Sequence, residues 1–324
     1  MTLPDPNGLL LAIVYVGAGF VLLAAGGEVL IRGAISISQR LRVSPAVIGL
    51  TIVAAATSLP ELAVSLAAAL RGNPDVAVGN VVGSNIFNVG AILGLTALIF
   101  SPLLFRAHMM RRDVMVMTGA AIAAMFMSRD EVIGKMEGGI LIAFLVIFLV
   151  WRTIWARREG PVEEIEGELA SHGSPWGLVR SIGMILTGAF LLTWAADVLV
   201  RGAIEIAEIA GVSQRVIAIT LVSAGTGLPE LATAIMAGIR RHAAVAVGNV
   251  IGSNIFNVFG ILGTVAVAGP ITVNEQIAHW DMWWFVGFCS VVLLPAFVHK
   301  RKLNRVGGGI LLASYIFYVV TLLR

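Results

Sequence analysis

Thr57-Ser58-Leu59-Pro60-Glu61-Leu62-Ala63 returns 169 residues later as Thr226-Gly227-Leu228-Pro229-Glu230-Leu231-Ala232. Both copies place a carboxylate directly after a proline, well inside an apolar run. A charged side chain at the centre of a bilayer costs about 2.5–3.5 kcal/mol on insertion scales, so it persists where a cation, a proton or an arginine compensates it. No Arg or Lys lies at a comparable depth in the two matching runs. Proline removes one helical hydrogen bond and clashes with the carbonyl four residues back, and Gly225 and Gly227 loosen the second copy further. The carbonyls around Ala56–Thr57 and Gly225–Thr226 are therefore expected to face a cavity. Broken helices at membrane depth are tolerated where they line such a cavity, and they commonly bind ions. The structural alternative is a pair of permanently protonated glutamic acids beside simple proline kinks. The recurrence of Thr-x-Leu-Pro-Glu in both halves argues against it.

The same offset of 169 aligns the halves without a gap through their first three apolar segments. Glu28-Val29-Leu30-Ile31-Arg32-Gly33 meets Asp197-Val198-Leu199-Val200-Arg201-Gly202, and Val76–Val89 meets Val245–Val258 with one difference, Val82 against Ile251. Similarity concentrated on polar, helix-breaking segments points to a shared site more than to duplication for folding alone.

Composition says where this repeat sits. Of the 324 residues, 58% are apolar and 13% charged, with a mean hydropathy of +0.93. An average soluble domain is about 25% charged, so a soluble globular protein and a disordered chain are both excluded. Cys289 is the single cysteine, so no intramolecular disulfide forms. No basic residue precedes the first apolar run, so the N-terminus does not read as a cleaved signal peptide. Apolar segments read as spans near 8–31, 44–70, 75–100, 113–128 and 132–155, then 177–200, 213–239, 243–269, 280–298 and 306–323. The expected fold is an all-α polytopic membrane protein of ten transmembrane helices in two inverted five-helix repeats: 1–156, a cytoplasmic acidic linker 157–175, and 176–324. An odd number of spans per repeat turns the second half upside down, the architecture of many secondary transporters. With both termini outside, 16 Lys and Arg fall inside and 6 outside, as the positive-inside rule requires. Arg152 counts among the inner-loop residues, and Trp151, Trp155, Trp280, Trp283 and Trp284 read as aromatic belts.

The polar groups of the third and eighth spans complete the pattern. Gly79/Gly83 and Gly248/Gly252 form GxxxG pairs that let helix backbones approach closely. Packing alone explains the glycines but not Ser84, Asn85, Asn88, Ser253, Asn254 and Asn257. Ser84 and Asn88, four apart, share a helix face, while Asn85 projects about a quarter-turn away, toward backbone. Two bidentate glutamates and two freed carbonyls supply six oxygens, within the range calcium takes. Sodium accepts the same oxygens with hydroxyls and amides added. No Cys/His cluster supports a softer metal, and the five histidines fall near span ends or in loops. No nucleophile–base pair or phosphate-cradling loop supports an enzyme, and no cofactor is implied.

On these motifs the chain resembles the calcium/cation antiporter superfamily, in particular the prokaryotic sodium/calcium exchangers. The resemblance spans nearly the whole length. It implies sodium-driven calcium transport by alternating access, with Na⁺, Ca²⁺ and the lipid bilayer of the plasma (cell inner) membrane as partners. Nucleic acid is not expected, nor an obligatory protein partner. By position, Glu61 and Glu230 match the shared central ligands, and the carbonyls of Thr57 and Thr226 match calcium ligands. Ser58, Ser84 and Ser253 match sodium-site hydroxyls, Asn88 and Asn257 the central polar pair. Ala54 and Ser223 match positions that offer carbonyls to flanking sodium sites. Gly227 stands where family members often carry serine, and Asn257 where several carry aspartate. One hydroxyl and a third titratable group are thus missing, which leaves the stoichiometry and the driving ion open. Three Na⁺ per Ca²⁺ moves a net charge, worth about 2.3 kcal/mol per 100 mV, whereas two Na⁺ or two H⁺ is electroneutral.

Two features stand outside this pattern. The linker carries Glu159, Glu163, Glu164, Glu166 and Glu168 without EF-hand spacing, and reads as solvated. Glu28/Arg32 and Asp197/Arg201 read as i,i+4 ion pairs near span ends. The rival functions are an H⁺/Ca²⁺ exchanger, a cation channel and a purely structural membrane protein.

Overall fold

A computed structural model describes residues 6–104, 108–159, 176–211, 223–297 and 302–322. Within these the chain is a helical bundle. Helix α1 spans Pro6–Leu41, α2 Pro45–Thr57, α3 Leu59–Leu70, α4 Pro74–Phe100, α5 His108–Met127 and α6 Lys135–Glu159. Then come α7 Trp176–Ile209, α8 Ser223–Thr226, α9 Leu228–Ile239, α10 Ala243–Ala268, α11 Ile277–Phe297 and α12 Arg305–Leu322. Seven of these helices (α1, α4, α6, α7, α10, α11, α12) are long and apolar enough to cross a membrane. Helices α2 and α3 together make one further apolar span, bent by 40° at Ser58.

Helices α1 and α7 run about ten residues past the expected spans, to Leu41 and Ile209. The charges Glu28, Arg32, Asp197 and Arg201 do not end them, because a charged side chain leaves backbone hydrogen bonding intact. What ends them is a residue in the left-handed region, Arg42 at φ 54° and Gly211 at φ 77°, the usual C-terminal stop. The four charges therefore lie within continuous helices, where Glu28/Arg32 and Asp197/Arg201 form the expected i,i+4 pairs.

The two long helices pack against each other in antiparallel sense. A Cβ on Gly19 would lie 2.6 Å from Leu199, and one on Gly188 would lie 2.6 Å from Leu30. Shifting Gly19 and Leu30 by the repeat offset gives Gly188 and Leu199, so the two contacts are equivalent. Two short antiparallel ladders repeat the relation. Strand β1 (Leu103–Leu104) pairs with β4 (Lys302–Leu303), and β2 (Val132–Ile133) pairs with β3 (Ile271–Thr272). The offset carries Leu103 onto Thr272 and Ile133 onto Lys302, which exchanges one ladder for the other.

Helices α4 and α10 are the most enclosed, with α2, α3 and α9 against them. Helices α5, α6, α11 and α12 pack outside, and the α1–α7 pair lies along one side. Arg152 does not sit in an inner loop. It is buried in the interior of α6 and pairs with the buried Asp113 of α5 at 3.1 Å. A buried charge needs such a partner, and hydropathy alone does not reveal one from another helix. Between the matching pair of helices in the second half, the Tyr318 hydroxyl of α12 donates to Asp281 of α11 at 3.0 Å. Of the acidic linker, 160–175 lies outside the described residues.

Candidate cation site

The break between α2 and α3 is built by local sequence. Pro60 occupies the first turn of α3 and has no N–H to return to α2. Ser58 takes φ −85°, ψ 2°, its N–H donates back to Ala54 at 3.0 Å, and its carbonyl opens α3 by accepting from Leu62 at 3.1 Å. The second half repeats this break almost angle for angle. Gly227 has φ −86°, ψ −1°, and its carbonyl accepts from Leu231 at 3.0 Å. The glycine thus adopts a conformation open to any residue. Glu61 and Glu230 fall in the first turns of α3 and α9, where free N–H groups and the helix dipole favour a carboxylate.

Both carboxylates are sealed inside the protein, Glu61 at 2% exposure and Glu230 at 0%, close enough to act on each other electrostatically. The Thr57 and Ser58 hydroxyls flank Glu230 without closing a hydrogen bond of ordinary geometry to it.

Around them α4 and α10 each relax into a π-turn, starting at Asn88 and at Asn257, positions related by the repeat. Such wide turns recur at functional sites. The α4 turn lies against α9 and the α10 turn against α3, so each Asn stands beside the other half's glutamate helix. Ser84, Asn88, Ser253 and Asn257 are all buried. Ser58 Oγ, Glu61 Oε2, Asn88 Oδ1, both Glu230 carboxylate oxygens, Ser253 Oγ, Asn254 Oδ1 and Asn257 Oδ1 have no hydrogen-bond donor. Buried acceptors in native proteins are ordinarily paired. Orphaned oxygens gathered from both halves make a donor set for a hard cation.

Thr57 and Ser253 are sealed, whereas Thr226 keeps partial exposure. The Ala54 carbonyl already accepts the Ser58 N–H and, at 3.4 Å, the Thr57 hydroxyl. Ser223 opens α8, which lies against α4. In the second GxxxG pair, a Cβ on Gly248 would lie 2.5 Å from the Ala46 carbonyl oxygen, so α10 does approach the α2 backbone closely. The equivalent partners of Gly79 and Gly83, residues 215–219, lie outside the described residues.

Asn85 does not turn to backbone, because its Oδ1 accepts from Asn257 Nδ2 at 3.2 Å. Its repeat mate Asn254 does, donating to the Val250 carbonyl at 2.7 Å. Asn80 and Asn249 were not among the expected site residues. Asn80 Nδ2 donates to Ser65 Oγ at 2.9 Å and to the Glu61 carbonyl at 3.4 Å, and Asn249 Oδ1 accepts from Thr57 Oγ1 at 3.4 Å. Their signal was present in the spacing: Asn80, Ser84 and Asn88 stand at i, i+4 and i+8, as do Asn249, Ser253 and Asn257.

Comparison with known proteins agrees with this chemistry. A family described as "Sodium/calcium exchanger protein" matches residues 11–154 and 180–324. CaxA of Alkalimonas amylolytica is 33% identical over 316 residues, covering 96% of this chain and 98% of that protein. The sodium/calcium exchanger MaX1 of Methanosarcina acetivorans is 30% identical over 347 residues, 94% of this chain and 96% of that protein. A solved structure of the sodium-calcium exchanger NCX_Mj, soaked with Na⁺ and Sr²⁺, superposes with a TM-score of 0.81 at 30% identity. It covers 96% of this chain and 98% of the other.

Proposed function

The chain belongs to the sodium/calcium exchanger family, and on that premise we propose that it exchanges Na⁺ for Ca²⁺ across the membrane by alternating access. As a member of that family it is an integral membrane cation antiporter. The transported ions bind between the halves. Glu61 and Glu230 are the central ligands, joined by the carbonyls of Thr57 and Thr226. Ser58, Ser84, Ser253, Asn88 and Asn257 supply hydroxyl and amide oxygens, and Ala54 and Ser223 supply carbonyls toward flanking Na⁺ positions. The observation that carries this reading is the set of buried oxygens lacking donors, contributed by both halves, together with two buried carboxylates within electrostatic reach of each other. Two carboxylates bring about two negative charges, which one Ca²⁺ or two Na⁺ neutralise.

Ten spans in two inverted repeats are the architecture that goes with it. The antiparallel α1–α7 contact, the exchanged β ladders, the matching breaks at Ser58 and Gly227 and the matching π-turns support that architecture. The distribution of Lys and Arg supports placing both termini outside.

Flux into proteoliposomes tests the assignment, with sodium, potassium and proton gradients imposed in turn. Calcium should accumulate against its own gradient when sodium is imposed without a pH difference. Accumulation driven by the pH gradient alone would make the protein an H⁺/Ca²⁺ exchanger. Calcium running only down its own gradient, with no counter-ion, would make it a channel.

A further inference from the structure

The repeat sets Glu28 opposite Asp197, Arg32 opposite Arg201 and Arg240 opposite Arg71. Glu28 on α1 accepts from Arg32 one turn later, as Asp197 on α7 accepts from Arg201 at 2.8 Å. Beyond that the equivalence stops. Glu28 also takes Arg240, at the end of α9, through two hydrogen bonds: Nε to Oε2 at 2.8 Å, and Nη2 to Oε1. This two-pronged grip leaves the Glu28 side chain 18% exposed, while Asp197 stays 53% exposed. Arg71, at the end of α3, pairs with no carboxylate among the described residues. The backbone shows the same asymmetry. Helix α1 lies along α9, with Gly27 against Met236 and the Ala232 carbonyl, whereas α7 has no comparable contact with α3. The α1–α7 pair is thus engaged with the glutamate helix of the second half and disengaged from that of the first.

In transporters built from inverted repeats, alternating access is largely the rocking of one bundle against the other around a fixed site, a motion that exchanges the contacts of the two halves. We propose that Glu28–Arg240 and Asp197–Arg71 are alternative ionic latches of the transport cycle, one closed at a time. The Glu28 latch ties the α1–α7 pair to α9 in the conformation described here. In the opposite-facing conformation Glu28 releases Arg240 and Asp197 takes Arg71, tying the pair to α3. This inference rests on the alternating access proposed above.

Cysteine pairs at 28/240 and at 71/197 test it, in the full chain with C289A, reconstituted in nanodiscs and treated with a short thiol cross-linker. Locking 28/240 should block cross-linking at 71/197. With the 71/197 pair in place, E28Q should raise its cross-linking rate about two- to fivefold, the range expected from losing one ion pair of this kind. The double reversal E28R/R240E should bring the rate back down, which a misfolded variant could not do. If E28Q leaves the rate unchanged, or if both pairs cross-link in the same molecules, the latch is refuted. The readout is proximity alone. Absence of sodium-driven calcium flux in the unaltered protein would sink the exchange reading and leave the cross-link result standing.

Discussion

A buried carboxylate without a counter-charge is among the costlier arrangements in a protein, and Glu61 and Glu230 place two of them within electrostatic reach of each other. Removing one charge while keeping the shape isolates what the pair does. E61Q or E230Q should leave a folded, monodisperse protein and abolish calcium-dependent exchange. Calcium at about a hundred times its Kd should stabilise the unaltered protein by about 2.7 kcal/mol, and neither variant should show that gain in a melting experiment. Protons compete with the cation for the same two groups. Apparent calcium affinity should therefore fall as pH is lowered from neutral to acid, in equilibrium binding at constant ionic strength. An affinity unchanged across that range would mean that the carboxylates are not the ligands. At this scale the sequence was informative, because a charge inside an apolar run marks itself. Arg152 and Asp113 were harder to read. Each stands near a span end in sequence, and only the packing of α5 against α6 shows that both are buried and paired.

Among the elements, the two broken helices do what their prolines dictate. Each break leaves a carboxylate in the first turn of the following helix, and the hydroxyls of the first break, Thr57 and Ser58, stand beside the carboxylate of the second half, Glu230. Restoring an N–H at the break allows a continuous helix to compete for those carbonyls. P229A should accordingly weaken calcium binding by about tenfold while changing the melting temperature little, since Pro229 stands in the first turn of α9, where a proline costs a helix nothing. Calcium titration alongside a melting curve measures both. The π-turns at Asn88 and Asn257 were not legible in the sequence. A run such as Asn88-Val89-Gly90-Ala91 fits an α-turn equally well, and the choice between the two depends on how neighbouring helices pack against it. Where α1 and α7 end was not legible for a related reason. Hydropathy marks where a membrane ends, whereas a helix ends where its backbone does, at Arg42 and Gly211.

For the molecule as a whole, the α1–α7 pair is symmetric within itself and asymmetric in what it touches, lying along α9 and not along α3. Its close contacts at Gly19 and Gly188 leave no room for a side chain. G188L should push α1 away from α7 and reduce exchange at least tenfold. The ion site, built from other helices, should keep its calcium-dependent rise in melting temperature. Loss of both together would show that the pair supports the site itself and does not only move beside it.

The sequence by itself determined the membrane class, the repeat at 169 residues, the two breaks and the two glutamates. These depend on local facts, namely hydropathy, a missing N–H and a charge without a neighbour. Only the tertiary structure decided what each polar group touches. Val76–Val89 and Val245–Val258 are all but identical, yet Asn80 binds Ser65 while Asn249 binds Thr57, and Asn85 binds Asn257 while Asn254 binds its own helix. The counterpart of Ser65 is Ala234, which offers no hydroxyl, so the second asparagine finds its partner in the other half. Identical local sequence gives identical helices and register. The partner a side chain meets depends on what the rest of the chain brings to it, and between two halves that have diverged and sit in unequal contacts, that differs.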